Sequence, residues 1–451
     1  MFFPGARKWK RWLEVGGDTG FFVFKGTVAM PGKMEPLPGT SDIWFPEVSA
    51  WADLETVARE TFALYGYGEL RTPVFERTDV FVKGIGDQTE VVQKEMYTFE
   101  DRGGRSLTLR PEGTAGVMRA IANQGVDEGT EKRVFYMGPM FRGERPAAGR
   151  KRQFHQIGVE TVGRFNPAVD AECVAMLADF LERAGIGQTR ILINSRGTSA
   201  DRERVVASLT AYFQPLIGGM CGDCQRRLGE NVWRILDCKA EECQTPVAGA
   251  PAIVDLLGAD SQAFFRQVCQ YLDAQGVTYD VAPRLVRGLD YYEHTVFEVV
   301  SEAEHLGAQN AVAGGGRYSI PLAGLKKPMR GVGFAAGMER LLLARGVVEM
   351  APADLGAVDV YVAAVGNEAL PAGLAFAKDL RRDALRVLAE TDGRSLKAQL
   401  RTANRVGAKV VVILGGNELA NGTALIRNMA DSRQEEVAAA RVAETVKAFL
   451  R

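Results

Sequence analysis

Histidine is scarce in this chain: three residues among 451, at His155, His294 and His305. That scarcity argues against a histidine-based catalytic triad and against a histidine-rich metal site. Cysteine is thin as well, with six residues, too few for a disulfide scaffold at this length. A reduced, cytoplasmic setting is the expectation that follows. Long apolar runs are missing, and no stretch approaches the length of a membrane span. Residues 1–33 mix aromatics, glycines and charges without the uninterrupted apolar core of a secretory signal. Excess charge is also absent, since 55 Lys and Arg face 56 Asp and Glu, a net charge of -1. A nucleic-acid partner would have to be met by local basic stretches, such as Arg150-Lys151-Arg152 and Arg394 to Arg405. What is present, 46% hydrophobic and 25% charged residues, is ordinary for a globular protein long enough for two or three domains.

The densest pattern runs from Phe141 to Glu160, FRGERPAAGRKRQFHQIGVE. Extended arms, VFYMGPMFRGE and RQFHQIGVETVG, flank Pro146-Ala-Ala-Gly149, which reads as an antiparallel hairpin with a long basic tip. Side chains alternate faces along a strand, so Arg142 and Glu144 share a face on one arm, and Phe154, Gln156, Gly158 and Glu160 share a face on the other arm, together making one surface. A cation, two acids, an amide and an aromatic around a glycine gap suit a ligand-binding floor. A merely solvated face would need neither the aromatic nor the gap.

Elsewhere, Trp51, Leu54, Ala58, Phe62 and Tyr65 recur at helical spacing up to Gly66, and Glu69–Val74 reads as a strand. Lys94–Phe99 and Ser106–Arg110 read as two strands around an Asp101-Arg-Gly-Gly104 turn, leading into Arg110-Pro-Glu-Gly-Thr114 and an alanine-rich helix. Glu112 is a suitable counter-ion for an α-ammonium group; a helix-start acid would not account for Arg110 beside it. Arg190–Ser195 is a strand, and residues 198–279 turn helical and charged. This stretch carries Cys221-x2-Cys224-x13-Cys238-x4-Cys243, whose short internal spacings fit a structural zinc site, with buried reduced cysteines as the other reading. Pro283–Val300 reads as strand, glycine turn, strand, with Arg287 just before the turn. Gly314-Gly-Gly-Arg-Tyr318 lacks the lysine and following helix of a P-loop. Gly331–Gly337 is a small-residue strand feeding a helix near Met338, with Arg340 at its start. After Ala351–Gly356, strands at Asp359–Val365 and Lys409–Gly415 alternate with helices at Leu370–Leu388, Ser395–Val406 and Glu436–Leu450, a small α/β domain.

The hairpin resembles motif 2 of the class II aminoacyl-tRNA synthetases. Arg287-Gly-Leu-Asp-Tyr-Tyr292 and Gly314–Tyr318 resemble the two signature boxes of the histidyl-tRNA synthetase family, and the resemblance covers almost everything after residue 36. It implies an α+β class II catalytic domain, a mixed and mostly antiparallel sheet flanked by helices, over 34–197 and 280–348. A helical insertion at 198–279, a linker at 349–357 and a C-terminal α/β anticodon-binding domain at 358–451 complete the expectation. Residues 1–33 fall before it, as a floppy extension or an upstream start with Met30 or Met34 as the true one. The family builds its insertion without zinc, so both readings of the cysteines stay open. Its usual Asp after the box tyrosine is Ser319 here.

What the resemblance implies is ATP-dependent activation of L-histidine and its transfer to tRNA(His), in a cytoplasmic homodimer serving protein biosynthesis. Arg142 would grip the α-phosphate, Glu144 accept from the adenine amino group, Phe154 stack on the base and Arg340 hold the γ-phosphate, with Mg2+ on the phosphates. Arg287 would be a second cation beside the reacting carboxylate. Glu160 and Tyr292 are candidates for the imidazole, Glu112, Thr114 and Gln156 for the amino-acid backbone end, and Tyr291 and Tyr318 for the pocket walls. Arg145, Arg150 and Arg152 would meet the acceptor stem. A competing expectation is the synthetase-like, non-catalytic regulatory subunit of ATP phosphoribosyltransferase, which lacks the C-terminal domain and has eroded ATP residues.

Overall fold

Amphipathic spacing sets the first helix. In Glu47–Leu64, Trp51, Leu54, Ala58 and Phe62 fall on one face and are buried, and Gly66, at φ +79, turns the chain after it. The computed structural model describes residues 35–86, 89–125, 130–147, 149–288, 291–306, 310–321, 327–347 and 358–450. The expected extension 1–33, its alternative starts and the linker 349–357 lie outside the described residues.

In chain order the first strands are β1 (Gly68–Glu69), β2 (Phe75–Arg77), β3 (Thr98–Glu100), β4 (Ser106–Leu109), β5 (Lys132–Phe141) and β6 (Gln153–Val162). They are followed by β7 (Thr189–Ser195), β8 (Asp280–Val281), β9 (Tyr292–Ser301), β10 (Ala311–Ile320) and β11 (Met329–Gly337). Eight of these form one sheet in the order β1-β5-β6-β11-β10-β9-β7-β8. Its central pairs are antiparallel, and only the two-residue edge strands β1 and β8 pair parallel. A small sheet, β2-β4-β3, stands apart. Helices Glu47–Leu64, Pro167–Arg183 and Ala259–Ala274 cover one face of the large sheet, where Phe62 meets Phe135, Phe180 and Phe334 at ring separations of 5.3–5.9 Å. Phe265, Val268 and Leu272 join this core, although they lie in the stretch expected to be an insertion. Residues Val205–Leu257 instead build a separate small core.

The C-terminal strands β12 (Val360–Ala364), β13 (Val387–Ala389), β14 (Val410–Leu414), β15 (Thr423–Asn428) and β16 (Gln434–Ala438) form a mixed sheet ordered β13-β12-β14-β15-β16. The all-apolar β12 and β14 sit in its middle, buried on both faces, as central parallel strands require.

Several expected elements are shifted, each for a local reason. Pairing expected over Glu69–Val74 stops at Leu70, because Pro73 has no N–H and the Thr72 carbonyl is taken by Arg110. Val91–Glu95 coil into a π-helical turn, so the strand expected from Lys94 begins at Thr98. The strand expected from Pro283 is absent through Gly288: the Pro283 and Leu285 carbonyls accept from Ile253 N and Asn194 Nδ2. The helix expected to reach Leu388 ends at Arg382, where Ala384 is left-handed and β13 follows. Gln434–Ala438 pairs with β15, so the last helix starts at Val442 and not at Glu436.

Candidate active site

Cross-strand register decides what the large sheet presents. One row runs Val296, Gly316, Gly333, Glu160; the next runs Glu298, Gly314, Ala335, Gly158, Tyr136. Glycines therefore hollow out the middle of the sheet, and larger side chains lean into the hollow. A Cβ on Gly333 would lie 2.1 Å from Glu160 Oε2, and one on Gly314 would lie 2.5 Å from Arg287 Cζ. Above this floor a cleft brings together Glu112, Thr114, Arg142, Gln156, Glu160, Tyr291, Tyr292 and Tyr318.

The cleft is rich in buried acceptors. Thr114 Oγ1 donates to Glu160 Oε1 at 2.7 Å, while Glu160 Oε2 and Gln156 Oε1 are buried without a hydrogen-bond partner among the described residues. Burial pushes the Glu160 carboxyl up to about 8, against the lowering effect of the Thr114 hydrogen bond. Glu112 is also raised by burial, although it accepts from Thr114 N at 2.7 Å and Ala115 N at 2.8 Å. It thus starts the helix Thr114–Gln124 while lining the cleft. Tyr291 packs against both Tyr292 and Tyr318, at ring separations of 4.7 and 5.8 Å.

Cations stand around the cleft, each held by a neighbour. Arg142 Nε donates to Pro111 O at 2.9 Å, and its guanidinium lies 5.3 Å from the Phe154 ring centre. Arg287 pairs with Glu298 and packs against Gly314 at the cleft floor. Arg340 donates to Gly149 O and Ala311 O, so it meets the tip of the hairpin. Glu144 lies outside the cleft, paired with Arg150 at 2.9 Å. Arg152 is turned back onto backbone, donating to the Glu144 and Pro38 carbonyls, and Arg145 is exposed. Arg142 and Glu144 follow the end of β5, but the ladder continues to Arg142, whose N–H donates to Arg152 O.

Arg110 serves the fold: its guanidinium donates to Pro139 O at 2.8 Å and to Thr72 O and Oγ1, tying segments of backbone together. One reading made from the residues is corrected: the gap at Gly158 is not room for a ligand. Tyr136 fills it, its Cζ 2.3 Å from where a Cβ on Gly158 would be.

The four clustered cysteines come together away from this cleft, with their Sγ atoms all within 4.8 Å of one another. Ser319 lies in β10 opposite Arg330.

Comparison with known proteins decides the family. The Histidyl-tRNA synthetase model matches residues 39–199 and 243–341, and the Anticodon binding domain model matches 359–449. The chain belongs to the histidyl-tRNA synthetase family. A histidine--tRNA ligase of Geobacillus kaustophilus is 46% identical over 406 residues, spanning 88% of this chain and 94% of the relative. The apo histidyl-tRNA synthetase of S. aureus superposes with a TM-score of 0.72 at 33% identity, covering 93% of this chain and 100% of that one. At 20% identity and a TM-score of 0.61, a Bacillus halodurans protein described as an ATP phosphoribosyltransferase regulatory subunit/histidyl-tRNA synthetase shares the fold; the match covers 86% of this chain and 99% of that one. The fold is the class II catalytic domain expected, with a C-terminal anticodon-binding domain on its own sheet.

Sequence reasoning missed Tyr136 and Glu298, which buttress this family's cleft from the same sheet row as Gly314 and Gly158. Their signal was cross-strand register, which no single strand discloses. Glu339 was also missed; it accepts from His155 N at 3.0 Å and pins the strand that carries Gln156.

Proposed function

We propose that the chain is a histidine--tRNA ligase that activates L-histidine with ATP and transfers it to tRNA(His). The observation that carries this is a pair of buried polar atoms with no hydrogen-bond partner among the described residues, Glu160 Oε2 and Gln156 Oε1, in a family member's cleft. A buried polar group left unpaired is costly, so a ligand bringing hydrogen-bonding groups to both is strongly favoured over one that lacks them. Histidine brings an imidazole N–H for Glu160, beside Tyr292, and an α-ammonium for Glu112, Thr114 and Gln156. Tyr291 and Tyr318 close the walls.

The reaction joins two anions, a carboxylate and an α-phosphate, so its first need is positive charge where charge develops. In this reading Arg142 and Arg287 meet it. Arg142 leaves Phe154 to grip the α-phosphate, freeing the ring to stack on adenine. Glu144 would exchange Arg150 for the adenine amino group, and Arg340 would hold the γ-phosphate at the hairpin tip. Mg2+ is expected to arrive on the ATP phosphates and offset their charge. Arg145, Arg150 and Arg152 would face the acceptor stem. The proposed domains are catalytic at 34–197 and 280–348, insertion at 198–279, of which the helix Ala259–Ala274 packs into the catalytic core, and anticodon-binding at 358–451, in a cytoplasmic homodimer. No described helix is long and apolar enough to cross a membrane. Sedimentation should give a native mass near twice 49.0 kDa.

Exchange of labelled pyrophosphate into ATP, without tRNA, tests the reading. Exchange with L-histidine and with no other amino acid supports it; histidine binding without exchange moves the chain to the regulatory-subunit reading. Substituting Arg142→Ala or Arg287→Ala should lower the exchange rate by about 10²–10³, the scale of one lost charge-stabilising donor.

A further inference from the structure

The structure points to a structural zinc ion held by Cys221, Cys224, Cys238 and Cys243, and we propose that it knots the small core of the insertion. This stands apart from the chemistry of the cleft. Cys221 and Cys224 lie in one turn at the start of the helix Gly222–Glu230. Cys238 and Cys243 straddle the start of Glu241–Ala248. Separate pieces of chain are thereby brought to one point.

The spacing of the sulfurs is that of a ligand set. A tetrahedral zinc with Zn–S of ≈ 2.3 Å has S···S edges of about 3.8 Å. Cys221 Sγ to Cys238 Sγ is 3.7 Å, and Cys243 Sγ to Cys224 Sγ is 3.7 Å. A disulfide would need ≈ 2.05 Å, so neither pair is bonded. Cys221 N–H also donates to Cys243 Sγ at 3.3 Å, so backbone of one pair reaches a sulfur of the other.

Simple apolar packing does not explain the arrangement. The chain's other two cysteines, Cys173 and Cys269, sit apart in or against the main core, as reduced cysteines used for packing do. The four in the insertion instead converge on each other. Their core, built with Val205, Leu209, Phe213, Trp233 and Ile253, serves a unit of only some fifty residues. Units that small rarely bury enough apolar surface to hold themselves, and a metal is one of the staples that compensates. Four thiolates without histidine or carboxylate suit zinc, with iron as the other metal of this geometry.

Metal analysis of the full chain, purified without chelator and dialysed against zinc under reducing conditions, tests the proposal. The expected result is about one zinc per chain, with the four thiols unreactive until a chelator removes it. Cobalt(II) in its place should show the absorption of a tetrahedral tetrathiolate site. Cys224→Ser combined with Cys243→Ser should bind less than about 0.1 equivalent. Should that variant fail to fold, cobalt substitution of the unaltered protein still decides. Folded protein that takes up less than about 0.1 zinc overturns the proposal. So does iron in the site, or a mass lowered by two hydrogens for each disulfide formed between these cysteines.

Discussion

Glu160 shows how far one residue's identity reaches, because the sequence places an acid on a strand face and only the fold buries it. The carboxyl is 1% exposed, and burial pushes it up to about 8. In the unfolded chain it titrates near the usual glutamate value of ≈ 4.3. The folded state therefore binds more protons than the unfolded state between these values, and stability falls as pH rises through that window. Thermal melts of the ligand-free protein should show a midpoint that declines from about pH 5 to 8, and Glu160→Gln should remove much of the decline. A variant that keeps the full slope would mean that another group carries it. Residue by residue, the cleft was largely legible: eight of the candidates that the resemblance implied line it. The gap at Gly158 misled because the side chain that fills it, Tyr136, comes from the neighbouring strand.

At the scale of elements, the box Gly314–Tyr318 carries two functions on opposite faces of β10. Tyr318 faces the cleft, whereas Arg317 points into the core and is wholly buried on Asp170 of the helix Pro167–Arg183. Arg317 also donates to Arg164 O and Asn166 O, and Thr295 Oγ1 completes Asp170 at 2.6 Å. This pair clamps helix to sheet. Arg317→Met should leave Asp170 charged and unpaired in a dry core, costing about 3–5 kcal/mol in urea unfolding. Adding Asp170→Asn should recover part of that loss, since the penalty belongs mainly to the stranded charge. Long elements were legible because their apolar periods run for several turns or pairs. Shorter ones, such as β13 and β16, depend on which neighbour offers an unpaired edge, and composition does not reveal that.

At the scale of the molecule, a net charge of -1 conceals where cations gather. In the anticodon-binding domain the helix Leu396–Arg405 turns Lys397, Arg401 and Arg405 outward at four-residue spacing, all exposed. The opposite face buries Ala403 and Gln399, whose side-chain amide donates to Ala364 O at 2.7 Å. Arg394, part of the same basic stretch, is occupied with the buried carboxylate of Glu390 and serves the fold. A cationic stripe on a helix fixed to its sheet suits a polyanion. Lys397→Glu with Arg401→Glu should therefore weaken tRNA binding and reduce the slope of log affinity against log salt by about 2, one unit per lost phosphate contact. Histidine-dependent pyrophosphate exchange should stay unchanged, because that half-reaction needs the cleft on the other sheet and no tRNA. If exchange falls with charging, the substitutions have damaged the fold. If neither falls, the stripe is a solvated face and the tRNA is held elsewhere.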